Sequence, residues 1–364
     1  MLSLISPVTY SGPDARYSVT ISAYSGKSST SNSTTGTPHL AVLRDGRCFA
    51  DANGQCRNKR RLRAVCCSVI TRIFNVPYVA AALIIIAVLA VGFFWLNRPQ
   101  LIAVDASLPE NFPSDRFSHE SFESLLKIYV DLDGNVDYAA WHDSPEAVAE
   151  LESYLAAVGR YSPENEPERF AVANDALAYW LYAYNAWVIR SVLDHWPLES
   201  VTDLKAPLEV VKGLGFFHQQ RFPFGGRHYS LLTVENSRIR KQYRDARIHF
   251  VLNCGSDSCP VMRPGLPTGD ALHESLDAAT MEFVSDPRNV SVDHENRRIL
   301  LSRIFKWYRK DFLNDLAMRG RSSDRGLVDY IISVAPDPLR TELDAANGYE
   351  LVFREYDWSL NEAQ

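Results

Sequence analysis

The sequence predicts the α+β class: a helix-rich single globular domain with a small mixed sheet, preceded by one transmembrane helix. Three observations lead there. Val79 to Leu96 is apolar throughout, the chain beyond residue 115 carries long segments of helical period, and short apolar runs among them are bounded by turn residues.

The run VAAALIIIAVLAVGFFWL contains no charged side chain, and Ile73, Val76 and Tyr78 extend it to the 73–97 span expected to cross a bilayer. A buried core helix would seldom be apolar on every face. Residues 1–78 hold ten Lys or Arg against three Asp or Glu, a net of +7, and the remainder holds 28 against 41, a net of -13. Arg57, Lys59, Arg60, Arg61, Arg63 and Arg72 stand directly before the apolar run, so the N-terminus is expected in the cytosol and the body outside it, in the periplasm of a Gram-negative cell. The membrane is thus one expected partner. A cleaved signal peptide is the competing account, although no small-x-small site follows the run. Residues 1–72, rich in Ser and Thr where SGKSSTSNSTTGTP stands, read as a disordered basic tail, and 98–114 as a linker.

Within 115–361 the pattern predicts helices at Leu125–Tyr129, Val148–Val158 and Asn174–His195, the last stopped by Pro197. SLLTVENSRIRKQYR predicts a short helix capped by Thr233. RIHFVLN, from Arg247 to Asn253, reads as a buried strand. A helix over Leu272–Phe283 follows, then a hairpin of Val290–Val292 and Arg298–Leu301 about the turn DHEN. Helix resumes over Ser302–Phe312 and Gly326–Val334, and YELVF from Tyr349 closes with a strand.

Composition limits the function. With 46% hydrophobic and 11% aromatic residues the chain can bury a full core, and its acidic body argues against nucleic acid as a partner. Six cysteines are too few for a disulfide-dense scaffold. There is no Walker loop, no Gly-x-Ser-x-Gly elbow and no His-Glu-x-x-His, and Gly213, Gly215, Gly225 and Gly226 lack the helix that a dinucleotide fingerprint needs. No cofactor is expected.

The most informative segment is RIHFVLNCGSDSCP, residues 247–260. His249 could serve as a base and Cys254 as a nucleophile, because a neighbouring imidazole lowers a thiol's pKa. In a regular strand the two would face opposite ways, whereas His249 and Asn253 share a face. Cys254 and Cys259 could instead form a disulfide across the turn, and a metal site of His249, Cys254 and Cys259 lacks an evident fourth ligand. Glu235 could orient His249 or pair with Arg238 one turn along. Asn185 is either a hydrogen-bonded linchpin or a site wall. The expectation is one polar pocket lined by His249, Asn253, Glu235 and Asn185 beside the cysteine turn.

Six pieces in order, VDYAAW, YWLYAYNAWVI, YSLLTVENSRIR, RIHFVLNCGSDSCP, IFKWYRKDF and YDWSLN, make residues 115–361 resemble the domain of unknown function 547 family. The resemblance focuses attention on Asn185, Glu235, Arg240, His249, Asn253, Cys254 and Cys259 and implies no activity. Tyr182 departs from it, standing where an Asn is expected. Two functions follow as expectations: a membrane-anchored binding or scaffold domain of the cell envelope, whose partner is an envelope ligand or protein, or a thiol-dependent hydrolase or transferase using Cys254 with His249 and Glu235. Asn185, Asn253, Arg240 and Cys259 would then belong to the binding surface.

Overall fold

The computed structural model describes residues 76–363, except for 208, 210, 266 and 267. The basic tail read over 1–72 lies outside the described residues. Helix α1, Val76–Leu96, belongs up to Trp95 to a different compact unit from the rest of the described residues, and its apolar side chains from Leu83 to Leu96 are exposed. Among the described residues no helix is long and apolar enough to cross a membrane. The transmembrane helix expected over 73–97 is therefore withdrawn from the fold class. What stands is a helix-rich α+β fold with small mixed sheets.

The second unit runs from Leu96 to the end. The stretch read as a linker takes part in it: β1, Gln100–Leu101, pairs in parallel with β2, Gln220–Phe224, and Ile102, Val104, Leu108 and Phe112 pack on the core. Helices α2 (Glu120–Tyr129), α3 (Tyr138–His142) and α4 (Pro145–Arg160) follow. Asp137 caps α3 through the Ala140 amide, and Ser144 caps α4 through that of Ala147, with Pro145 at the first turn where its missing N–H costs nothing.

At the centre lies α5, Ala173–Leu193, with 16 of its 21 residues buried, including Trp180, Trp187 and Tyr179. A helix covered on all sides carries no one-sided period, which is why its apolar pattern looks continuous. Tyr182, the departure from the family pattern, stacks on His119 at 4.2 Å and donates its hydroxyl to Glu123, so the tyrosine is accommodated as a packed core residue.

The hairpin of β2 with β3, Arg227–Tyr229, turns at Gly225–Gly226. Ser230, not Thr233, caps the next helical run, because its hydroxyl accepts from the Thr233 amide. That run comprises α6 (Leu231–Thr233), a π-helical segment Val234–Arg240 and α7 (Lys241–Tyr243).

RIHFVLN is not a strand. Residues Ala246–Phe250 form a 3₁₀ helix whose start is held by the Asp245 side chain accepting from the Arg247 amide. A short apolar run signals burial without specifying strand or helix. Here Ile248 enters the core around α5 while Ala246 and Phe250 enter a second cluster, so both sides of the segment are covered. The alternation argument that paired His249 with Asn253 on one face does not apply.

Helix α8 (Ala271–Ser285) builds that second cluster with β4 (Val290–Asp293), β5 (Arg298–Leu301), α9 (Arg303–Trp307), α10 (Arg309–Met318), α11 (Leu327–Val334), α12 (Leu339–Ala345) and β6 (Glu350–Phe353). The DHEN hairpin forms with Val290 opposite Leu301, and β6 adds in parallel to β5. Residues 356–362 then run back over the other half of the unit. They bridge Val136 through Glu362, Ser200 through Ser359 and Ser256 through Leu360.

Candidate functional site

The turn after the 3₁₀ helix is clamped from two directions. The Asn185 side chain, 4% exposed on α5, donates Nδ2 to the Val251 carbonyl at 2.9 Å and accepts from the Asn253 amide at 3.0 Å. Asn253 in turn donates to the Pro260 carbonyl at 2.8 Å and accepts from the Gly255 amide at 2.7 Å. Both asparagines are thus spent on backbone, and they shape the loop without facing the pocket described below.

Within this clamp Cys254 and Cys259 are joined by a disulfide, with Cα atoms 6.1 Å apart. Tyr356, delivered by the returning C-terminal strap, sets its hydroxyl 3.1 Å from each sulfur and 3.0 Å from the Ser256 hydroxyl. Gly255 sits at φ +77°, and a Cβ there would come 3.0 Å from a Val201 methyl. Gly255→Ala is expected to lower stability by about 1–3 kcal/mol, from the left-handed backbone and the close contact together. Urea unfolding checks this, and a change within about 0.5 kcal/mol, ordinary for a surface substitution, would contradict it.

His249 is buried, stacks on Tyr308 at 3.7 Å and hydrogen-bonds through Nε2 to Asp311 Oδ2 at 2.8 Å. Asp311 also accepts from Arg240 Nε at 2.7 Å, and Arg240 reaches the Asn236 side chain. Burial pulls the His249 pKa down to about 4 despite Asp311, so the ring is neutral at neutral pH. Burial pushes Asp311 up, but the bonds from His249 and Arg240 outweigh it and hold its carboxyl near 2. The result is a neutral imidazole beside a closed ion pair.

Glu235 takes neither role open to it. Arg238 pairs with Glu164 at 3.1 Å, and the orienter of His249 is Asp311. Glu235 is 3% exposed, and burial raises its pKa more than nearby Arg240 and a hydrogen bond from Tyr308 lower it. Its Oε1 has no hydrogen-bond partner among the described residues.

Glu235 and His249 line one cavity of about 40 Å³ together with Tyr184, Phe217, the disulfide, Trp307, Tyr308, Tyr356 and Trp358. The expected pocket therefore exists with two of its four polar members, Asn185 and Asn253 being held elsewhere. Arg240 contributes at one remove, through Asp311. Tyr184, Tyr308, Asp311 and Tyr356 were missed as site residues. IFKWYRKDF and YDWSLN carried the signal for three of them, but nothing in the spacing ties residue 311 to 249 or 356 to 254.

These features define a helix-rich α+β domain with a small, aromatic, disulfide-walled pocket containing one buried carboxyl. Residues 168–284 match the family model described as Protein of unknown function, DUF547, so the resemblance drawn from the motifs holds over that stretch. It includes Asn185, Glu235, Arg240, His249, Asn253 and both pocket cysteines, while Asp311 and Tyr356 lie beyond it. No curated protein and no solved structure matches the chain.

Proposed function

We propose that this chain is an extracytoplasmic binding domain of the cell envelope in which Cys254 and Cys259 are a structural pair. The observation that carries this reading is the disulfide itself. A bonded Cys254 has no thiolate to attack a substrate, so a thiol hydrolase or transferase would first need this bond reduced. Disulfides persist in oxidising compartments, which favours a place outside the cytosol. His249 fits the same reading, since its ring is engaged by Asp311 and Tyr308 and lies against the disulfide only as a wall of the cavity. The partner is then an envelope ligand or protein that meets the half-exposed aromatic rim of Trp307, Tyr356 and Trp358.

Alkylation tests the reading directly. The full chain, purified without reductant, is unfolded in denaturant with iodoacetamide, and peptides are mapped by mass. Cys254 and Cys259 should remain unlabelled until a reductant is added. Labelling of Cys254 in the unreduced protein would overturn the reading and restore a thiol nucleophile.

A further inference from the structure

The cavity beside the disulfide has an unusual inner end. A carboxyl oxygen, Glu235 Oε1, is buried there with no hydrogen-bond partner among the described residues. Leaving such a group unsatisfied costs free energy, so it signals a missing donor. The nearest cation does not supply it, because Arg240 is committed to Asp311 and Asn236. Arg240 and Asp311 pair with each other and His249 turns to Asp311, so among the described residues Glu235 is the carboxyl of the cluster that no salt bridge engages.

The walls add a second preference. Tyr184, buried, and Trp307, Tyr308, Tyr356 and Trp358, half-buried, all line the cavity, with ring centroids 4.6 Å apart for Trp307 and Tyr356 and 4.6 Å for Tyr356 and Trp358. Aromatic faces around a carboxylate favour a cation. Size then narrows the choice, since about 40 Å³ holds roughly three water-sized groups. That suits an aminomethyl head better than a guanidinium or a ring. Glu235 is buried while Trp307, Tyr356 and Trp358 are only half-buried, so the remainder of such a molecule would lie outside.

We propose that the pocket binds the primary ammonium end of an alkyl chain, with Glu235 accepting its N–H bonds inside an aromatic cage closed by Trp307, Tyr356 and Trp358. The proposal rests on the binding-domain reading and names the ligand's chemistry.

Calorimetric titration of the full oxidised chain with methylammonium chloride tests it, with sodium chloride and ethanol as cation and neutral controls. Methylammonium should bind saturably and neither control should. Glu235→Gln, which keeps the shape and removes the charge, should weaken binding at least tenfold. Trp307→Leu, which leaves the carboxyl in place, should weaken it roughly threefold or more by loss of one aromatic face, and this variant decides the matter if the first fails to fold. Absence of saturable binding, equal binding by sodium or ethanol, or full affinity in a folded Glu235→Gln protein would overturn the proposal. Each of these outcomes would leave the disulfide reading intact, because that reading fails only if Cys254 is alkylated without reduction.

Discussion

Between pH 7 and pH 4.5 two buried histidines should cost the domain about 5 kcal/mol of stability, a third or more of what a domain typically has. His249 is held near pKa 4 and His119 near 3, both lowered by burial from 6.5. His119 hydrogen-bonds the Tyr154 hydroxyl at 2.8 Å and lies against Tyr182, with no charged partner among the described residues to favour its protonated form. The folded-state pKa values are depressed, so the stability is fully present above about 6.5 and is lost as pH falls below it, when the unfolded chain takes up protons that the folded chain refuses. At pH 4.5 each histidine accounts for roughly 2–3 kcal/mol. Glu235 works in the opposite direction, because its raised pKa means that a penalty for burying charge is relieved in acid. Asp311 adds to the loss only below its ordinary 3.8, outside this window. Urea unfolding at the two pH values measures the sum, and His249→Asn should remove about half of the histidine contribution. An unchanged pH dependence in that variant would show that His249 is not buried neutral.

Asn185→Ala should be the most damaging single substitution around the turn, at about 2–5 kcal/mol. It strips partners from two buried backbone groups, the Val251 carbonyl and the Asn253 amide, and each such loss costs about 1–3 kcal/mol. For a unit of this size the melting temperature should fall by roughly 5–10 °C. The consequence should also reach the sulfurs, because Asn253 stands between this clamp and Gly255. Dithiothreitol should reduce Cys254–Cys259 faster in the variant than in the parent. A fall in melting temperature under about 2 °C, well below the expected range, would mean that water replaces the asparagine and that the clamp is dispensable.

How much of this was legible depended on range. Helix α5 and the DHEN hairpin could be read because their signals are local: a sustained apolar helix stopped by a proline, and two short apolar runs about a polar turn. The hairpin at Gly225–Gly226 carries an equally local signal in QRFPFGGRHY, where two glycines separate short runs with aromatic residues. RIHFVLN misled because burial on both sides looks the same whether the backbone coils or extends. The site was legible as a set of residue types and not as a geometry. His249 meets Asp311 across 62 residues, and Cys254 meets Tyr356 across 102, so neither spacing follows any periodicity. The same limit explains Glu235: the sequence offered Arg238 as its neighbour on the helix, and the π-helical winding of Val234–Arg240 together with the pull of Glu164 separated them.

The returning strap carries an implication for the order of assembly during synthesis. Tyr356, Trp358 and Asn361 leave the ribosome after every residue they hold, including Tyr138, which donates its hydroxyl to the Asn361 side chain at 3.1 Å, and Ser256. Domains generally fold as units and cannot complete contacts whose partners are still being made. A chain whose segment beyond Glu355 has not yet docked would thus hold the Cys254–Cys259 turn uncovered, with its sulfurs open to thiol exchange. Docking of residues 356–362 would close that window, making the strap the step that seals the oxidised turn.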